Sequence, residues 1–286
     1  MRIVTIECQV QYSEWQHFTP LGDTHLDSSD SDEMALRRDL KERDGLTGHM
    51  ILGLGDWGDW VLPDDKRHAA GNLRPKLAAA ADTTEAILAY QASFFDKLDS
   101  PVKLLLTGNH EATVNKRHHT DVIARLARRL SPKPVTPGVC CWVRMKARGP
   151  DNGVCTWYIL LHHGAWYGQA AMPHGAVRWA THDMESSWQL FCFGHNHRKA
   201  SEELAQMAPK HTGDEAIAKN SRIVACGSYL RSYMSKEGGV PGYGEQKGMS
   251  PTAIGAPLVR WRMVSRPGSG PSARNKPRRE IQLQII

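Results

Sequence analysis

The 286-residue sequence has no apolar run approaching the ~20 residues that span a bilayer, so neither a transmembrane helix nor a membrane partner is expected. It also lacks any CxxC pair. The six cysteines (Cys8, Cys140, Cys141, Cys155, Cys192 and Cys226) are scattered, which argues against a zinc ribbon or a thioredoxin-type site. Several lie in apolar stretches and read as reduced core thiols, so a reducing, cytoplasmic compartment is the expectation. The opening MRIVTIECQVQY has no basic segment leading into an apolar stretch and a small-residue cleavage site, so no secretory signal is expected. Internal repeats are absent, which excludes a fibrous array.

What is present is a composition that forms a core. Hydrophobic residues make up 41% and charged residues 23%. The net charge of +6 is unevenly placed. Residues 257–286 hold seven basic side chains (Arg260, Arg262, Arg266, Arg274, Lys276, Arg278 and Arg279) against Glu280, so residues 1–256 sum to zero. A second basic stretch, 115–148, holds nine Lys or Arg against Asp121. Basic clusters are more often solvated faces than nucleic-acid sites, and both readings stay open here.

Patterning alternates strands with helices. Strands are predicted over 2–10, up to Leu21, and over 49–54, 102–106, 156–161, 190–193, 223–226 and 257–264. Ser28 to Asp32 supplies cap residues for a helix from Met34 to Arg43, closed by Gly45. Leu73 to Leu98 reads as one Ala-rich helix, and Asp121 to Leu130 as another with a basic face. This order argues for a layered α/β domain over residues 1–264. Residues 265–286 form a basic Pro/Gly/Ser-rich segment, with a candidate terminal strand at 280–286.

Five short segments place metal-ligating side chains directly after an apolar run. They are Gly22-Asp23-Thr24-His25, Gly55-Asp56-Trp57-Gly58-Asp59, Gly108-Asn109-His110-Glu111, His162-His163-Gly164 and Gly194-His195-Asn196-His197. In open α/β sheets, ligands bind beyond the carboxyl ends of strands, so five such loops would build one site. The set mixes carboxylate, imidazole and amide without thiolate, which suits Mn, Fe, Zn, Co or Ni. Asp23, His25, Asp56, Asn109, one histidine of the 162–163 pair, His195 and His197 make seven ligands, too many for one ion. Sharing one carboxylate gives the two-metal arrangement that hydrolyses phosphate esters, with ions ~3.5–4 Å apart.

The ordered set DxH, GDxxD, GNHE, HHG and GHxH resembles the calcineurin-like metallophosphoesterases, over about residues 20–198. The surrounding wording is similar to microbial or phage members. The resemblance implies two packed β-sheets flanked by helices, a four-layer sandwich with its active site at the C-terminal strand ends. It implies that one metal takes Asp23, His25, Asp56 and His197, and the other Asp56, Asn109, His162 and His195. Asp56 would bridge, and Mn is the first expectation for the metal. A bridging hydroxide would attack phosphorus in line, with His110 contacting the phosphate and protonating the leaving oxygen or stabilising the transition state. Neighbours on a strand point to opposite faces, so one of His162 and His163 ligates; the family pattern favours His162.

Other residues are secondary. Asp59 reads as orienting ligands, and Glu111 as either that or a loop cap. Trp57, Trp60, Trp166 and Tyr167 read first as packing and second as a stacking surface. The stretch from Gly164 to Met184 is the expected cleft wall. His118 and His119 read as surface residues at a helix start; His17, His49, His68, His174, His182 and His211 also read as surface residues. The expected substrate is a phosphomonoester or phosphodiester. A nuclease acting on nucleic acid is the alternative, and a non-catalytic scaffold or plain nucleic-acid binder is further off.

Overall fold

The computed structural model describes residues 1–62, 72–166, 172–184, 187–209, 216–233, 245, 248, 251–266 and 277–286. The chain runs β1 (Arg2–Gln9), β2 (Gln16–Leu21), α1 (Glu33–Asp44), β3 (Met50–Gly53), α2 (Pro75–Ala78), α3 (Thr83–Phe95), β4 (Val102–Leu106), α4 (Asn109–His118) and α5 (Val122–Ala127). It continues with β5 (Val135–Gly138), β6 (Cys140–Arg148), β7 (Val154–His162), α6 (His174–Arg178), a π-helical turn (Trp179–Asp183) and β8 (Leu190–Phe193). Then come β9 (Lys199–Pro209), β10 (Ala216–Cys226), β11 (Val259–Arg266) and β12 (Arg278–Ile285).

The strands form two mixed six-stranded sheets. The first has the order β1-β6-β7-β8-β10-β9, and the second β12-β11-β2-β3-β4-β5. Within the second, β2, β3, β4 and β5 are parallel, and β11 and β12 add antiparallel strands at one edge. In the first, β7, β8 and β10 are parallel, while β6 and β9 run against them.

Side-chain alternation explains why the sheets stack. Leu52, Leu104 and Leu106 of the second sheet share one buried cluster with Val143, Ile159, Leu161 and Cys192 of the first. Leu21, Ile51 and Leu105 point the other way and are buried with α1, α3 and α5 residues such as Leu36, Leu88 and Leu126. The outer face of the first sheet carries a smaller cluster: Leu160, Phe191, Phe193 and Ile223 pack with α6 and the π-turn. Three helices begin where aspartates accept the orphan amides: Asp32 from Ala35, Asp82 from Glu85 and Asp121 from Ala124.

Several sequence expectations are corrected. The 73–98 segment is two helices, because Asp82 caps a fresh start. His118 ends α4 and His119 is its left-handed cap, so the pair closes a helix. His49 is buried between strands rather than exposed. Part of the expected cleft wall is helical, from His174 to Asp183. Tyr167, His68 and His211 lie outside the described residues. Among the described residues, no helix is long and apolar enough to cross a membrane. All six cysteines are free thiols.

Candidate metal centre

The five loops converge at one end of the sandwich. Gly22–His25 follows β2, 54–59 follows β3, and Asn109 opens α4 just after β4. From the other sheet, His163 follows β7, and His195 and His197 follow β8. All leave carboxyl ends of strands, where parallel neighbours bring their loops side by side.

Three groups of ligand atoms result, each with its ligand atoms within 4.8 Å of one another: Asp23, His25 and His197; His25, Asp59 and His110; and Asp56, His163 and His195. His197 Nε2 lies 3.3 Å from Asp23 Oδ1 and 3.4 Å from His25 Nε2. His163 Nε2 lies 3.3 Å from Asp56 Oδ2. Asn109 Oδ1 is 2.8 Å from both His163 Nε2 and His195 Nδ1.

Anchoring of the far ring nitrogens makes these atoms fit a cation. His163 donates from Nδ1 to the Leu54 carbonyl at 2.8 Å. His25 donates from Nδ1 to Asp59 Oδ1 at 3.0 Å. In both rings the remaining Nε2 is aimed inward, the arrangement of metal-ligating histidines. Ring nitrogens that face one another and buried carboxylates, rather than a donor, are the chemistry a divalent ion would satisfy. His110 follows the same pattern: its Nδ1 donates to the Asp59 carbonyl at 2.7 Å, and its Nε2 lies 3.9 Å from Asp56 Oδ2.

The backbone is bent to achieve this. Nine non-glycine residues have positive φ among the described residues, and five are Asp23, His25, Asp56, His195 and His197. Each such conformation costs on the order of 1–3 kcal/mol and persists only where surroundings enforce it. Two glycines leave the space: a Cβ on Gly108 would sit 2.1 Å from Asp56 Oδ1, and one on Gly194 2.5 Å from Asp23 Oδ2.

Two carboxylates behind the site hold the loop after β3. Glu111 is fully buried and accepts from the amides of Asp56 (3.0 Å), Trp57 (2.8 Å) and Gly108 (2.8 Å) and from Trp60 Nε1 (3.2 Å). Asp27 accepts from the amides of Asp59 (2.5 Å) and Trp60 (2.9 Å). Asp27 escaped the sequence reading. Its signal was there, an aspartate two residues beyond His25, but nothing in that spacing shows which backbone it caps. Ser228 was also missed; its hydroxyl donates to the Asp23 carbonyl at 2.8 Å, steadying that loop from β10.

Electrostatics follow from the pairing. Burial would raise the Asp23 and Asp56 carboxyls, but the facing histidines pull both well below the usual range. Burial would lower the imidazoles, yet Asp59 lifts His25 to about 10 and Asp56 lifts His163 to about 9. The pocket thus keeps protons where cations would otherwise sit, and loading would release them.

One ligand expectation is corrected. His162 ends β7 facing the outer cluster, with its ring centroid 4.9 Å from both Trp166 and Trp179. Its Nδ1 accepts from the Gly164 amide at 2.7 Å. Burial, reinforced by the neighbouring His163, lowers it to about 4. His163, the next residue, takes the inward place. Trp57 and Trp60 are buried in the helix-side core, and Trp166 packs on Trp179 and Phe193. No protein-family model matches the chain, and no curated protein sequence matches it.

Proposed function

We propose that the chain is a metal-dependent phosphoesterase that binds two divalent transition-metal ions, manganese first among them. The reading is carried by the convergence of Asp23, His25, His197, Asp56, Asn109, His163 and His195, with anchored imidazoles aimed at two adjacent ligand groups. One ion would be held by Asp23, His25 and His197 and the other by Asn109, His163 and His195, with Asp56 shared. Bound there, such a pair polarises a phosphoryl oxygen and makes water nucleophilic at neutral pH.

The remaining steps belong to side chains. Asp56, held deprotonated by the facing histidines, would supply negative charge to bound cations. His110 presents Nε2 beside Asp56, because the Asp59 carbonyl holds the opposite nitrogen. From there it hydrogen-bonds a phosphoryl oxygen and delivers a proton to the departing oxygen. Asp59 fixes His25 through its carboxylate and His110 through its carbonyl, so one residue sets both rings. Both mono- and diester substrates fit this chemistry.

The test is hydrolysis of p-nitrophenyl phosphate and its bis ester with Mn, Co, Ni, Zn or Fe(II), alongside metal analysis of the purified protein. About two equivalents of metal and turnover of at least one ester are expected. A protein that takes up no metal and turns over neither ester overturns the reading.

A further inference from the structure

The two sheets differ in what covers them. The outer face of the second is buried under α1, α3 and α5 along β2, β3 and β4. Among the described residues, the outer face of the first is covered along β7, β8 and β10 by α6 and the π-turn, and Trp142 of β6 packs at the edge of that cluster. Along β1, the rest of β6 and the start of β7 no described helix packs on it: Ile3 is 56% exposed and Val154 43%.

This open face has a definite chemistry. On β6 the residues alternate strictly, with Val143, Met145 and Ala147 buried inward and Trp142, Arg144, Lys146 and Arg148 outward. The outward row is thus one aromatic followed by three cations, about 6.8 Å apart along the strand. Tyr158 of β7 stands directly across from Arg144, and its ring meets that of Trp142 edge-on with centroids 6.3 Å apart. Thr5 flanks Arg144 on the other side, and Glu7 flanks Lys146.

Glu7 is the one acid on this part of the face among the described residues. Its contact with Lys146, at 3.0 Å, is solvent-exposed and therefore weak. The two arginines are unused. Arg144 Nε is buried without a hydrogen-bond partner, and Arg148 makes no side-chain hydrogen bond or ion pair among the described residues. The basic row on β11 is different: Arg260 and Arg262 bond Gln284 and Gln282 and stack on Trp15, so that face satisfies itself. Among the described residues no carboxylate pairs with the Arg144 or Arg148 guanidinium, so the positive charge of the β6 row is left for an anionic partner.

We propose that this open face of β1, β6 and β7 binds single-stranded nucleic acid. Phosphates would lie along Arg144, Lys146 and Arg148, and bases would stack on Trp142 and Tyr158. An exposed sheet with aromatics and cations interleaved serves any base sequence, because every base has a π-face. An acidic polypeptide would use the cations but leave the two rings idle. The upper end of the row lies beside the metal centre, since Cys140 pairs with His162 and the Val139 carbonyl accepts from the His163 amide. A strand bound along β6 would therefore point toward the ligand loops. The surface itself stands without the metal centre, so the two readings fail separately.

The test uses the full chain in EDTA, with fluorescence anisotropy of a labelled mixed-sequence 12-nucleotide DNA single strand over a range of salt. Tight, salt-sensitive binding is expected. The Arg144→Gln/Arg148→Gln variant, confirmed folded by circular dichroism and melting, should bind at least about tenfold more weakly. Its log–log salt slope should be shallower by about 1.4, because two phosphates go unneutralised. Hydrolysis of the bis-p-nitrophenyl ester with metal should stay unchanged in that variant. No binding by the native chain, equal binding by the variant, or binding of poly-glutamate as tight as that of the oligonucleotide each overturns the proposal. A native chain that binds the oligonucleotide but hydrolyses neither ester with metal would count against the phosphoesterase reading alone.

Discussion

The second sheet carries buried histidines at both ends of its strands, in opposite electrical states. At the carboxyl ends, His25 faces Asp59, Asp56 and Asp23, and its proton is held up to about 10. At the amino ends, His49 lies between two hydroxyls, with Nε2 2.9 Å from Thr19 Oγ1 and Nδ1 2.7 Å from Ser100 Oγ. Burial first, then the Arg43 charge, lowers it to about 4. The same ring in the same sheet thus keeps its proton among carboxylates at one end and is a neutral tie at the other. What decides is the partner. Carboxylates convert burial into affinity for positive charge, whereas hydroxyls and a guanidinium convert it into neutrality.

Five substitutions test that contrast. Asp56→Asn removes the carboxylate that the proposed ion pair would share, and should reduce ester turnover roughly a thousandfold, more than any other single ligand change. Assays with excess Mn check this, and near-normal turnover would remove Asp56 from its shared place. His110→Ala should slow turnover about a hundredfold or more while leaving metal content intact, because the proposed ion pair does not draw on His110, which groups with His25 and Asp59 instead. Metal analysis of that variant decides whether His110 is instead a ligand.

Next comes the adjacent pair. His163→Gln should weaken metal binding by about tenfold to a hundredfold, since it deletes a ring aimed at Asp56 and Asn109. His162→Gln, on the aromatic side, should leave the metal titration unchanged. Isothermal titration of both variants separates them, and equal loss in each would mean that face is immaterial here.

The smallest effect concerns the far end. The folded value of His49 lies below the ordinary 6.5, so its neutral form is favoured in the folded chain. Its contribution is therefore complete above about pH 6.5 and is lost as pH falls through about 4, by an amount on the order of 3 kcal/mol. Urea midpoints from pH 7 to 4 should fall less steeply in His49→Gln than in the native chain. Parallel curves would show that His49 does not couple to folding.

Much of this was legible because it is local. A ligand set at one- or two-residue spacing beside glycine survives translation into structure, since each loop is short and leaves a strand whose apolar run marks its end. The coarse α/β layering was legible for the same reason. The choice between His162 and His163 was not. Tyr-Ile-Leu-Leu-His is apolar on both faces, because Leu160 is buried outward and Leu161 inward, so no alternation announces which histidine turns in. β9 was equally hidden: KASEELAQMAP has no strand alternation, and its identity comes from pairing with β10 along eleven residues. His49 looked like a surface residue because nothing nearby in sequence shows Thr19 and Ser100 closing on it.

The left-handed turns at Asp23, His25, Asp56, His195 and His197 limit how this chain can drift. At such positions stereochemistry filters substitutions before any question of chemistry arises. Asparagine or glycine is admitted easily, and valine, isoleucine or threonine hardly at all. A descendant with no use for these carboxylates and imidazoles would therefore show asparagine and glycine in these five places, still drawing the outline of the five loops in its backbone.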